Sequence, residues 1–225
     1  MRGKLMLWGA AAALVMGSSA AIASVVVVKS LGPSSKAYPP GKTLPEGAKI
    51  ALQGGDVVTL LGPGSAQTLR GPGNFPAAQV AMNSASSRGR FGALRAAEIA
   101  KNPSIWDIDV TQSGKMCVTS TSKVQLWRPD AESEAKIKIR SAEGRSQDLD
   151  WAAGAAGAVW PAALPIQSGQ PYQLEWTDTG DKSSLIFIAV PNTPPDLVGA
   201  AQVLIENGCQ HQLDMLVEGA SKVGK

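Results

Sequence analysis

The 225-residue chain has one histidine, two cysteines and only 5% aromatic residues, and each scarcity removes a class of chemistry. A Ser-His-Asp triad would have to use His211, and no Gly-x-Ser-x-Gly nucleophile turn accompanies it, so His211 reads as an ordinary helix or surface residue. Structural zinc requires clustered thiolates and imidazoles, and the chain has neither a Cys-x-x-Cys nor a His-x-x-x-His spacing. Gly62-Pro63-Gly64 and Gly71-Pro72-Gly73 lack the Lys-Ser/Thr that completes a phosphate cradle, so both read as turns. No catalytic constellation, metal site or cofactor is expected. Charge is also sparse, at 17% of residues and +3 net. Without a basic excess, a general role on nucleic acid or anionic membranes is excluded.

What is present begins with the leader. Arg2 and Lys4 precede an apolar run from Leu5 to Gly17, and Ala21-Ile22-Ala23 supplies a small-x-small cleavage site. The run is shorter than the roughly 20 residues of a membrane span, so it predicts a signal peptide (1–23) cut after Ala23 and export to the periplasm. No cysteine follows the run, which argues against a lipid anchor. With Arg2 and Lys4 removed, 19 of the 21 basic residues face 18 acidic ones, and the mature chain is nearly neutral. No transmembrane segment is expected in it. In an oxidising compartment the simplest reading of Cys117 and Cys209 is a disulfide, with two buried free thiols as the alternative.

The 24 glycines and 15 prolines predict many turns and short strands. The remaining length suits two compact units better than one. Residues 24–74 read as a small β module: Val25 to Lys29 is β-branched, Lys49 to Leu52 alternates, and Asp56 to Leu61 and Gln67 to Arg70 flank a hairpin loop at Gly62-Pro63-Gly64-Ser65. Residues 75–102, rich in Ala, Ser, Gly and Arg, read as a linker with a short helix over Ala93 to Lys101. In residues 103–225, Trp106, Ile108 and Val110 alternate with polar residues, as do Tyr172, Leu174 and Trp176. Met116 to Val118, Val124 to Trp127, Ala135 to Arg140 and Leu185 to Val190 complete six strands of a β-sandwich. After Pro191 the period becomes helical. Thr193 is the expected cap, Pro194 and Pro195 fit a first turn, Asn207-Gly208 ends the helix, and a second helix carries Cys209, Leu213 and Leu216 inward. The fold class is therefore mainly β, with a C-terminal helical hairpin stapled to the sandwich by Cys117–Cys209.

The strings Gly41-Lys-Thr-Leu44-Pro-Glu-Gly47-Ala-Lys-Ile50, Gly55-Asp56-Val-Val-Thr59 and Thr68-Leu69-Arg70-Gly71-Pro72-Gly73 resemble the FecR domain of bacterial envelope proteins. The resemblance implies a compact exported β module that binds other proteins or envelope components. The membrane helix and cytoplasmic segment that accompany the domain in FecR sensors have no counterpart in this sequence. The segment from Trp160 to Trp176 looks like the turn-and-strand entry of bacterial immunoglobulin-like domains.

Three groups of side chains are candidate contacts. Lys136, Lys138 and Arg140 share one strand face and suit an anionic partner, or protect a sheet edge from pairing. Trp106 and Trp176 fall on inward sides of alternating strands, whereas Trp151 and Trp160 border the Ala152 to Ala158 loop and are the candidates for stacking on sugars. Asp107 and Asp109, with Asp148 or Asp150, fall short of the six or more oxygens a hard cation takes and read as solvated strand carboxylates. The sequence thus predicts a non-enzymatic envelope protein that binds a protein or envelope ligand, with a carbohydrate-binding accessory role as the alternative.

Overall fold

The structure, a computed structural model, describes residues 24–83 and 104–223. The expected leader and the helix over Ala93 to Lys101 lie outside those residues. The architecture is mainly β, with four sheets and a C-terminal helical pair.

The first half comprises β1 (Ser24–Leu31), β2 (Thr43–Pro45), β3 (Lys49–Leu52), β4 (Val57–Leu61), β5 (Ala66–Arg70), β6 (Gly73–Pro76) and helix α1 (Ala78–Asn83). Four strands form a sheet of order β2-β1-β4-β5, and β3 pairs with β6. Val25 to Val28 are all buried. Val25 and Val27 face a core with Leu44, Ile50, Val58 and Leu60, while Val26 and Val28 face the C-terminal helices on the other side. A strand covered on both faces needs a continuous apolar run, which is what β1 has. The expected hairpin loop closes with the Gly62 amide donating to the Ser65 carbonyl at 2.9 Å. Beyond it, a Cβ on Gly71 would collide with the Gln53 carbonyl oxygen, so this close approach admits only glycine.

Asp56 organises the turn beside Gly71. Its carboxylate accepts from the amides of Ser34 at 2.9 Å and Gln53 at 2.5 Å. Burial pushes this carboxyl up, but hydrogen bonds from the Ser34 hydroxyl and from the two amides outweigh it and hold the group below its ordinary value. Regular structure also runs past the boundary expected at residue 74. Phe75 pairs with Ile50 in the β3–β6 ribbon, and α1 follows directly, so the start of the expected linker belongs to the fold.

The second half contains β7 (Ile108–Asp109), β8 (Gly114–Val118), β9 (Gln125–Trp127), β10 (Ala135–Ser141), β11 (Ser146–Trp151), β12 (Gly157–Val159), β13 (Pro171–Trp176) and β14 (Lys182–Ala189). A five-stranded sheet of order β11-β10-β13-β14-β8 packs on a three-stranded sheet of order β12-β9-β7. Ile108, Met116, Leu126, Ile137, Ile139, Leu174, Leu185 and Phe187 fill the space between them. All six expected strands form. The sequence analysis missed β11 and β12, whose Ser-Gln-Asp-Leu-Asp-Trp and Gly-Ala-Val carry little apolar pattern and are held by pairing with β10 and β9.

Helices α2 (Leu197–Asn207) and α3 (Gln210–Val223) follow. Asp196, not Thr193, is the N-cap of α2, accepting from the Gly199 amide at 2.9 Å; the Thr193 hydroxyl instead donates to the Val190 carbonyl. Gly208 closes α2 in the left-handed conformation, φ 72°. Val198, Ala201, Leu204, Leu213, Leu216 and Ala220 bury one face of the pair. The expected bridge is present: Cys117 on β8 is joined to Cys209, with a Cα–Cα distance of 5.8 Å. The helices do more than cover the sandwich, because the same core contains Val26, Val28 and Leu61 of the first half. They form a shared layer between the four-stranded and five-stranded sheets.

Candidate functional site

The concavity at the β10–β11 turn is shallow. Ser141, Glu143, Arg145, Gln167, Gln170 and Tyr172 line about 190 Å³, open solvent included, at the β10–β11 turn. That falls below the roughly 300 Å³ at which small-molecule pockets begin. Larger contact surfaces lie on the outer faces of the sheets.

The outer face of the five-stranded sheet is the broadest. Strand alternation turns Ile137 and Ile139 into the core and Lys136, Lys138 and Arg140 outward. Register then sets Lys136 opposite Asp150, and Lys138 between Asp148 and Glu175. Lys136 Nζ lies 3.1 Å from Asp150. Its hydrogen bond and charge attraction to Asp150 raise the ammonium above its ordinary value, against the opposing effect of desolvation and with help from Asp148. Arg140 and Lys182 both reach Glu175, at 3.5 and 3.6 Å. The basic stripe is thus one line of a mixed-sign ladder. It does not guard a sheet edge, because β11 lies outside β10 and forms that edge. Lys138 forms no ion pair among the described residues. Toward β14 and β8 the same face becomes apolar at Ile188 and Cys117, and there the helical pair covers it.

Trp106 and Trp176 pack against the cores as expected, only partly buried, but Trp151 and Trp160 do not take the places expected of them. Trp151 and Trp160 are 2% and 6% exposed, so neither presents a ring to a sugar. Trp160 stands edge-on to Tyr172 and Phe187, with centroids 5.2 and 4.9 Å away, and its Nε1 donates to the Leu164 carbonyl. Trp151 lies under the Arg128 guanidinium, 5.3 Å from the ring centroid. Both loop-flanking indoles are drawn inward because the Ala-Gly segment between them offers no bulk to fill the sandwich end. Trp106, Trp127 and Trp176 are the partly exposed ones.

Asp107 and Asp109 are not solvated carboxylates of one strand face. Asp107 accepts from the Ser104 amide, and Asp109, 8% exposed, accepts from the amide and hydroxyl of Thr111. Asp148 and Asp150 stand on the other sheet of the sandwich. Among the described residues no group of three or more His, Cys, Asp or Glu is placed to hold a metal. His211 is partly buried on α3, with Nε2 3.9 Å from Asp109.

Two polar residues that the sequence analysis did not single out organise this half. Arg128 is 3% exposed and donates to the carbonyls of Ser133, Ala152 and Ala155 at 2.6, 3.0 and 3.1 Å. Gln212, 1% exposed, accepts from the Cys117 amide and donates to the carbonyls of Cys117 and Ile105. The alternation of Val124, Leu126 and Arg128 through β9 and its two flanking residues was the available signal for the first. For the second, position 212 beside Leu213 on the buried side of α3 was a weak one.

No family model matches the chain. No curated protein matches it either. Among solved structures, the chain is similar to the fn3 domain of human collagen alpha-1(XX) chain, at 19% identity and TM-score 0.22 over 33% of this chain and 77% of that one. It is also similar to a biofilm-associated protein described by its BSP domain, at 10% identity and TM-score 0.27, over 79% of this chain and 26% of that one. The chain thus spans about a quarter of the second structure's length. Neither likeness is close enough to carry a functional argument. Among the described residues no helix is long and apolar enough to cross a membrane.

Proposed function

We propose that the chain is an exported, non-enzymatic cell-envelope protein that binds a protein or envelope component through the exposed surfaces of its β modules. The observation that carries this reading is the open outer face of the five-stranded sheet, where Lys136, Lys138, Arg140 and Lys182 are interleaved with Asp148, Asp150 and Glu175. A charged ladder on a rigid sheet favours orientation and selectivity in binding over chemistry on a substrate. Lys138, without an ion-pair partner of its own among the described residues, is the point at which an anionic group of the partner would dock. The buried Cys117–Cys209 bridge supports an oxidising compartment and hence the periplasm. The FecR-like assignment of the first half belongs to this proposal. It is supported by the fall of the three strings on β2 and β3, on β4, and on β5 and β6.

The test uses a photo-crosslinking residue at Gln173, exposed on the same face, in intact cells. A discrete adduct in the periplasmic fraction, lost on combining Lys138→Glu with Arg140→Glu, is the expected result. Recovery of an uncleaved, thiol-bearing chain from the cytosol, or adducts indifferent to the charge reversal, would overturn it.

A further inference from the structure

Strand β9 and the residues on either side of it run against the usual order of solvation. Val124, Leu126 and Arg128 are buried, while Gln125 and Trp127 turn to the outer face of the three-stranded sheet. Transfer energies favour an indole inside and a guanidinium outside. Here the guanidinium is held inside by three carbonyls and the indole is left partly in water.

The surroundings of Trp127 keep that indole accessible. Its antiparallel partner on β12 is Gly157, which has no side chain to cover it. A Cβ at Gly157 would lie 2.9 Å from Gln125 Nε2, so the Gln125 amide lies across the glycine that stands opposite Trp127. Opposite Gln125 stands Val159, 51% exposed and one of two large hydrophobic residues so exposed among the described residues. On the other flank, the parallel partner of Trp127 is Asp109, with His211 beside it. Trp127 makes no side-chain hydrogen bond among the described residues. The patch therefore has an apolar centre, Trp127 and Val159, and a rim of planar polar groups, Gln125 and His211.

Size and charge narrow the occupant. Strands of two and three residues at ordinary spacing give a face of about 10 by 10 Å. A stable protein interface needs roughly 800 Å² from each partner, far more than this patch presents. One or two sugar rings fit it. Its carboxylate, Asp109, is already engaged by Thr111 and faces His211, so the patch has no free charge for an ionic ligand. An apolar ring face bordered by hydroxyls matches an indole bordered by an amide and an imidazole.

We propose that the outer face of the three-stranded sheet binds a neutral saccharide, one ring stacking on Trp127 and its hydroxyls meeting Gln125 and His211. This deepens the envelope-component side of the function proposed above and rests on it for access to such a polymer. The test is intrinsic fluorescence and calorimetric titration of the mature, disulfide-bonded protein with the hexamers of N-acetylglucosamine and of glucose. Saturable binding to at least one neutral hexamer is expected, weakened at least about tenfold by Trp127→Ala and by Gln125→Ala and largely kept by Trp127→Phe, at unchanged melting temperature. No saturable binding at millimolar hexamer, binding indifferent to Trp127→Ala, or a protein adduct from a crosslinker at position 127 would each overturn it. The crosslink from Gln173 reports on the other sheet, so failure here and failure of the envelope-binding reading are separable.

Discussion

Arg128 shows how much one residue sets in this protein. Its guanidinium ties the Ser133 carbonyl to the Ala152–Ala155 loop and roofs Trp151, and a lysine ammonium has neither the fork nor the reach to replace it. Arg128→Met leaves three carbonyls without their donor and is expected to cost about 2–4 kcal/mol, read from the urea midpoint. Asp56 makes a prediction with a definite sign. Its carboxyl is held below the ordinary value in the fold, so its contribution is present above about pH 4 and is lost as pH falls through the lowered value. Asp56→Asn should lower the melting temperature at neutral pH and flatten its acid limb; an acid limb unchanged by the substitution would refute the assignment. Alternation with Val124 and Leu126 hinted that Arg128 turns inward, but neither its role nor that of Asp56 was legible until the carbonyls and amides around them are placed.

At the scale of elements, the exposed edge of the five-stranded sheet at β8 is closed by a side chain. Gln212 on α3 supplies both a donor and an acceptor to Cys117, as a neighbouring strand would. Gln212→Leu removes both and is expected to destabilise by about 1–3 kcal/mol, with faster amide exchange at Cys117 as the specific readout. The strands of the second half that were legible, β7, β8, β9, β10, β13 and β14, owe this to alternation or to a solid apolar run. Those that were not, β11 and β12, form because β10 and β9 offer them partners. The helix start was legible to within a few residues: Thr193 and the two prolines pointed to a first turn, but they precede the helix, which starts at Leu197 with Asp196 capping the Gly199 amide.

For the whole molecule, the helical pair is the joint. Leu204 shares a core with Val26 and Leu61 on one side and Cys117 and Val190 on the other. Leu204→Ala is expected to cost about 2–5 kcal/mol, and hydrogen exchange should quicken in β1 and β14 together. Loss of protection in β14 alone would show that the two halves are energetically independent. The bridge closes a separation of 92 residues, and the paired replacement Cys117→Ser with Cys209→Ser should lower stability by about 2–5 kcal/mol, measured by urea denaturation without reductant.

Local pattern and turn chemistry were enough for the β character, the hairpin at Gly62 to Ser65 and the terminal helices, while two cysteines left one possible bridge, which the fold then forms. Tertiary contacts settled which tryptophans meet water, which lysines among the described residues stand unpaired and what lies between the two halves. Local periodicity assigns a residue to a face of its own strand. Whether that face meets another sheet, a helix or solvent depends on contacts far away in the chain.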